Sequence, residues 1–148
     1  MLKECHLDHR QNFSNRSMIK FKYTILYVSD VTRSIQFYEQ VFGFVRKFIT
    51  PENDYGELIT GETTISFASH KLANTNLTAG YTASSRLDKP FGIELGIVTD
   101  NVEDLVDKVW EFNGVIVEQP TIKPWGQTVS YVRDLDGFLI EICTPMHE

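Results

Sequence analysis

The sequence predicts an α+β fold of two pseudo-symmetric βαβββ modules, and three observations predict it. The first is an internal repeat. Shifting the first half by 71 residues lays Tyr23 on Glu94, Val31 on Val102, Ile35 on Val106 and Gly43 on Gly114. Strand, cap, helix and terminating glycine therefore recur in register. The second is a pair of helical patterns, each opened by a capping residue and closed by glycine. The third is WGQTVSYVRDLDGFLIEICTP, Trp125 to Pro145, which reads as strand, tight turn and strand.

A chain of 148 residues, 42% hydrophobic and 23% charged, suits one globular domain or two small halves sharing a core. A net charge of −6 with no Lys/Arg-rich run argues against a nucleic-acid surface. No apolar run approaches membrane-spanning length, and the N-terminus lacks the apolar core of a signal peptide. Two cysteines, Cys5 and Cys143, are too few for a disulfide framework, so a reducing, cytoplasmic location is expected.

Residues 1–17 show no hydrophobic period and read as a polar extension. Cys5, His6 and His9 lie there, but without a second ligand pair they do not specify a metal site. The compact domain is expected over 18–148, with modules at about 19–70 and 90–146 and a linker at about 71–89. Phe21–Val28 is the first predicted strand, Asp30 the cap, and Val31–Phe42 a helix with Val31, Ile35, Tyr38 and Phe42 on one face. Gly43 ends it. Strands follow at 44–49, 55–60 and 63–69, the last two joined at Gly61-Glu62. Residues 70–89 lack a strong period, with a short helix near Lys71, and read as a linker or a flap. The second module runs through a strand at 91–98, a cap at Asp100-Asn101 and a helix at 102–113 ended by Gly114. A strand at 115–118, a loop at 120–124 and the final hairpin complete it.

Alternation along the strands assigns two faces. Thr24, Leu26 and Val28, then Ile93, Leu95 and Ile97, face the helices. Tyr23, Ile25 and Tyr27, then Glu94, Gly96 and Val98, face away. In the last strand Ile140 and Ile142 face the helices, and Cys143 is grouped with them as a small core residue. Glu141 is a carboxylate flanked by apolar residues, so it needs a partner, a ligand, a metal or water. Registering the hairpins places Ser66 on Glu141. Tyr23, Ser66, Glu94 and Glu141 then converge on a cleft by pseudo-symmetry. Trp125, Tyr27, Tyr55 and Phe91 are the candidate aromatic lining, suited to a planar or cationic small molecule. Arg133-Asp134 is expected to brace the final turn, and Trp110 to serve in packing or an interface.

The stretches YTILYVSDVTRSIQFYEQVFGF, ELGIVTDNVEDL and PWGQTVSYVRDLDGFLIEICTP resemble the vicinal oxygen chelate superfamily, which includes glyoxalase I, bleomycin-resistance proteins and extradiol dioxygenases. Leu135 stands where that pattern usually has proline. The resemblance implies a cup-shaped mixed sheet with helices on the outer face, a central metal held by His and Glu, and a homodimer. Carried onto this chain, the ligand positions are Tyr23, Ser66, Glu94 and Glu141. Glu141 matches the usual glutamate, Glu94 is an oxygen donor where His is frequent, and Tyr23 and Ser66 depart from the pattern. Cofactor expectations are none, or a divalent metal ion on Glu94 and Glu141.

Three functions follow. The first is a small-molecule binder with an aromatic, acidic cleft lacking the usual His-based metal site. The second is a metal-dependent lyase or dioxygenase with Glu141, Glu94 and Tyr23 as the reacting groups. The third is a degenerate interaction module. Without metal, the paired glutamates are expected to share a proton, raising one apparent pKa, unless each bonds a nearby Tyr, Lys or Arg.

Overall fold

The computed structural model describes residues 17–146. The first module comprises β1 (Thr24–Val28), α1 (Val31–Phe42), β2 (Val45–Ile49), β3 (Tyr55–Ile59) and β4 (Thr64–Ser69). A short helix, α2 (His70–Asn76), follows. The second comprises β5 (Glu94–Val98), α3 (Val102–Glu111), β6 (Val115–Ile122), β7 (Thr128–Arg133) and β8 (Leu139–Cys143). The strand orders are β1-β4-β3-β2 and β5-β8-β7-β6. In each sheet the first and last strands of the module pair in parallel and the rest antiparallel.

Local chemistry explains the helices. Asp30 accepts the Arg33 amide at 3.0 Å, and Asn101 accepts the Asp104 amide at 3.1 Å, each satisfying an orphan donor of the first turn. Gly43 closes α1 in the left-handed region at φ 71°. The second copy differs. In α3 the left-handed residue is Asn113 at φ 70°, one place before Gly114. Gly114 serves packing instead, since a Cβ there would collide with the Val109 side chain and come within 3.0 Å of the Arg133 carbonyl.

α1 packs on its own sheet, α3 on the other, and the two helices touch each other. Val28, Ile35, Phe67, Val109, Val132, Ile140 and Ile142 form part of one shared core. Several strand bounds differ from expectation. Phe21 is 92% exposed and β1 begins at Thr24; β5 begins at Glu94, leaving Ile93 exposed rather than facing the helix. β6 continues through Pro120 to Ile122, where a loop was expected. Proline is tolerated because β6 is an edge strand and its register shifts between Glu118 and Thr121.

The Asp134–Gly137 turn does more than reverse the chain. Asp134 Oδ1 accepts the amides of Asp136 and Phe138, and its Oδ2 accepts the Tyr38 hydroxyl at 2.7 Å. Asp136 accepts the Ser29 amide and hydroxyl at 3.0 and 2.9 Å and the Ser34 hydroxyl at 3.1 Å. The turn of the second module thus binds the start of α1 in the first. Arg133 donates to the carbonyls of Gly137, Asp88 and Ser85, which fixes the linker over the turn.

Candidate functional site

The helix-free face of each sheet holds the candidate groups in rows set by strand register. In the first sheet Ile25, Ser66 and Glu57 lie side by side, and the next row is Tyr27, Ala68 and Tyr55. In the second sheet Gly96, Glu141 and Tyr131 form the matching row, followed by Val98, Cys143 and Val129. Cys143 is therefore on the Glu141 face, not the helix face. Adjacent residues on a strand alternate, so it cannot share a side with Ile142.

Glu94 and Glu141 do come together. Partial loss of water around Glu94, a hydrogen bond with Glu141 and repulsion from it all hold the Glu94 carboxyl above its usual range. Tyr131 donates its hydroxyl to Glu141 Oε2 at 3.1 Å. Burial, then the hydrogen bond with Glu141 and its charge, push the Tyr131 phenol up, so it remains a donor. Burial, then the nearby Glu141, raise the Cys143 thiol to about 11, which suppresses thiolate chemistry at neutral pH.

In the first sheet, Ser66 is buried and donates to Glu57 Oε2 at 3.5 Å. The Tyr55 phenol is raised chiefly by burial. A hydrogen bond with Ser66 lowers it, while the charges of Glu57 and Tyr23 raise it. Among the described residues no hydrogen bond or ion pair joins this group to Glu94 and Glu141. The four pseudo-symmetric positions thus fall into two pairs, one per sheet. Tyr23 and Glu94 alone of the four line a cavity of about 580 Å³ between the edges of β1 and β5.

The candidate aromatics do not share one neighbourhood. Tyr27 packs edge-on against Tyr81 of the linker at 4.8 Å, and Tyr81 is hydrogen-bonded to His70 Nδ1 at 2.6 Å. Tyr55 lies 5.9 Å from Phe48, while Phe91 packs on Phe138 at 6.3 Å. Trp125 sits in the β6–β7 turn, 62% exposed, with its indole donating to Gln127. Trp110 on α3 is 70% exposed and so is not a packing residue.

The donor chemistry bears on a metal. Among the described residues no three His, Cys, Asp or Glu side chains gather so as to hold an ion. Glu94 and Glu141 offer carboxylate oxygen, but a phenol and a hydroxyl stand at the other two positions, a poor donor set for zinc, nickel or iron. Among the described residues, the groups at these four positions do not fit such a metal. The Cys5, His6 and His9 group lies outside the described residues.

A two-module α+β chain with paired carboxylates on an open sheet face defines a protein of the glyoxalase fold. Residues 21–147 match the glyoxalase-like domain model, and the chain belongs to that family. It is 31% identical over 129 residues to a lactoylglutathione lyase of Arabidopsis thaliana, covering 83% of this chain but 43% of that protein. The chain thus spans less than half the length of this curated relative. It is 30% identical over 125 residues to a probable lactoylglutathione lyase of Synechocystis, covering 81% of this chain and 91% of that one. The fold is shared with a glyoxalase/bleomycin resistance protein/dioxygenase family enzyme of Burkholderia phytofirmans. That structure gives a TM-score of 0.73 at 20% identity over 85% of this chain and 98% of its own. No helix among the described residues is long and apolar enough to cross a membrane.

Proposed function

We propose that this protein binds a small organic molecule in an acidic, tyrosine-lined cleft that two copies of the chain close together. The observation that carries it is the Glu94–Glu141–Tyr131 cluster on an open sheet face, a polar patch that among the described residues makes no hydrogen bond or ion pair to the first sheet. Tyr131 donates to Glu141, and Glu141 holds the neighbouring Glu94 carboxyl above its usual range, so donor and acceptor groups stand side by side. The two-copy arrangement is supported by exposed apolar groups on the same faces: Ile25 at 41%, Ile59 at 50% and Val98 at 61%. Apolar sheet faces of this kind mark contact or ligand surfaces. An open face also speaks against a cleft packed shut, which the interaction-module reading requires.

A second reading is a metal-dependent lyase or dioxygenase using Glu94 and Glu141, and the names of the relatives favour its lyase form. Thermal melts of wild type and Glu141→Ala separate the two. A melt raised by planar organic molecules in wild type and not in Glu141→Ala supports binding through this cluster. Near one metal ion per purified chain, lost with Glu141→Ala together with any ion-dependent rise in melting, moves the second reading ahead. Sedimentation as a monomer at tens of micromolar would refute the shared cleft.

A further inference from the structure

The two sheets carry the same polar pair with the strands exchanged. In the second sheet the carboxylate is on the last strand, Glu141, and the hydroxyl on its neighbour, Tyr131. In the first the hydroxyl is on the last strand, Ser66, and the carboxylate on its neighbour, Glu57. The first half therefore also has an acid on this face, although Ser66 is not one. The acid sits one strand over.

Glu57 is 8% exposed, yet its contacts are loose. Ser66 donates at 3.5 Å, the outer edge of hydrogen bonding, and Lys47 Nζ stands 4.0 Å from Oε1 with its own side chain 54% exposed. A carboxylate removed from water ordinarily takes close, well-aligned donors. Beside it stands the Tyr55 phenol, a further hydrogen-bonding neighbour, and the Phe48 ring, opposite Glu57 in the β2–β3 register, packs against Tyr55. A desolvated carboxylate beside aromatic side chains suits an ammonium group, through a charge-assisted hydrogen bond and the ring quadrupoles. Lys47 fills that role only weakly.

We propose that Glu57 is a ligand-binding residue of the cleft and takes the protonated amine of a ligand with an apolar or aromatic body, displacing Lys47. This rests on the cleft binding small organic molecules and names their chemical class. The test is calorimetric titration of the full chain with 2-phenylethylammonium and with the neutral isostere 2-phenylethanol. In wild type the amine should bind about tenfold more tightly than the alcohol. Glu57→Gln should abolish that preference while leaving alcohol affinity within about twofold. Lys47→Met, at a largely exposed side chain, should tighten amine binding several-fold by removing the competing cation. It also keeps the test decisive if Glu57→Gln fails to fold. An alcohol that binds as well as the amine, or an amine preference that survives in Glu57→Gln, overturns the assignment alone. If neither probe binds, the cleft reading fails and this one with it. A melt raised by manganese in wild type but not in Glu57→Gln would make Glu57 a metal ligand and overturn the proposal.

Discussion

Replacing Tyr38 with phenylalanine removes one oxygen from the joint between the modules and should cost about 2 kcal/mol at pH 8. Tyr38 is fully buried, and its hydroxyl donates to Asp134 at 2.7 Å. The figure follows from a hydrogen bond to a charged, buried acceptor, which is worth roughly 1.5–3 kcal/mol. Burial raises Asp134 to about 6, against the lowering effect of the Tyr38 hydroxyl and two backbone amides. A carboxyl whose folded pKa exceeds its unfolded value binds more protons when folded. Its contribution therefore favours the fold below about pH 4 and is lost as pH rises through about 6. Over that window Asp134 alone takes away about 3 kcal/mol. Without the Tyr38 donor the ionised form is worse served, so the penalty of Tyr38→Phe should be larger at pH 8 than at pH 5. Urea unfolding at both pH values reads it directly. At pH 8 the melting temperature should fall by about 6 °C. A variant that matches wild type at pH 8, or loses more at pH 5, refutes the account of this joint.

Other perturbations test separate elements. Gly137→Ala should destabilise by roughly 2–4 kcal/mol, because φ is 88° there and a Cβ would come within 2.9 Å of the Ser85–Arg86 backbone; chemical denaturation measures it. Arg133→Ala frees the carbonyls of Ser85 and Asp88, so limited proteolysis should cut within 85–90 several-fold faster while the rest of the chain survives. Asp30→Ala should cost about 1 kcal/mol through the lost cap on the Arg33 amide, and Asp30→Asn much less.

The fold was legible because each half states it locally. Asp30 and Asn101 are short acceptors at the start of apolar periods of 3.6, and Gly43 follows the first at a position only glycine fills without strain. The two-residue alternation of TILYV and LIEIC assigned Leu26, Val28, Ile140 and Ile142 to the core, where each is at most 6% exposed. What sequence did not show depends on pairing between distant strands. Pro120 looked like a breaker because edge position and a register shift are properties of the sheet. Asp134 and Asp136 read as turn residues. That they bind Ser29, Ser34 and Tyr38, about a hundred residues earlier, follows only from how the modules pack.

Glu57 shows the same limit most sharply. Within YGELI it lies beside Gly56 and Leu58 in a strand with no acidic pattern, and no repeat offset lays it on Glu141. Its significance comes from the β3–β4 register, which sets it opposite Ser66 just as β7–β8 sets Tyr131 opposite Glu141. A linear comparison asks which residue type occupies a given position and scores Ser66 as a lost acid. The face of a sheet asks a different question: which groups lie within a few ångströms of the floor, whatever strand delivers them. Neighbouring strands are about 4.8 Å apart, so a carboxylate can be handed from one to the next at little geometric cost. Such an exchange conserves charge and hydrogen-bonding capacity while changing the direction of approach. By that measure the first half of this chain also carries an acid on its sheet face, and the two halves are more alike in chemistry than their aligned residues suggest.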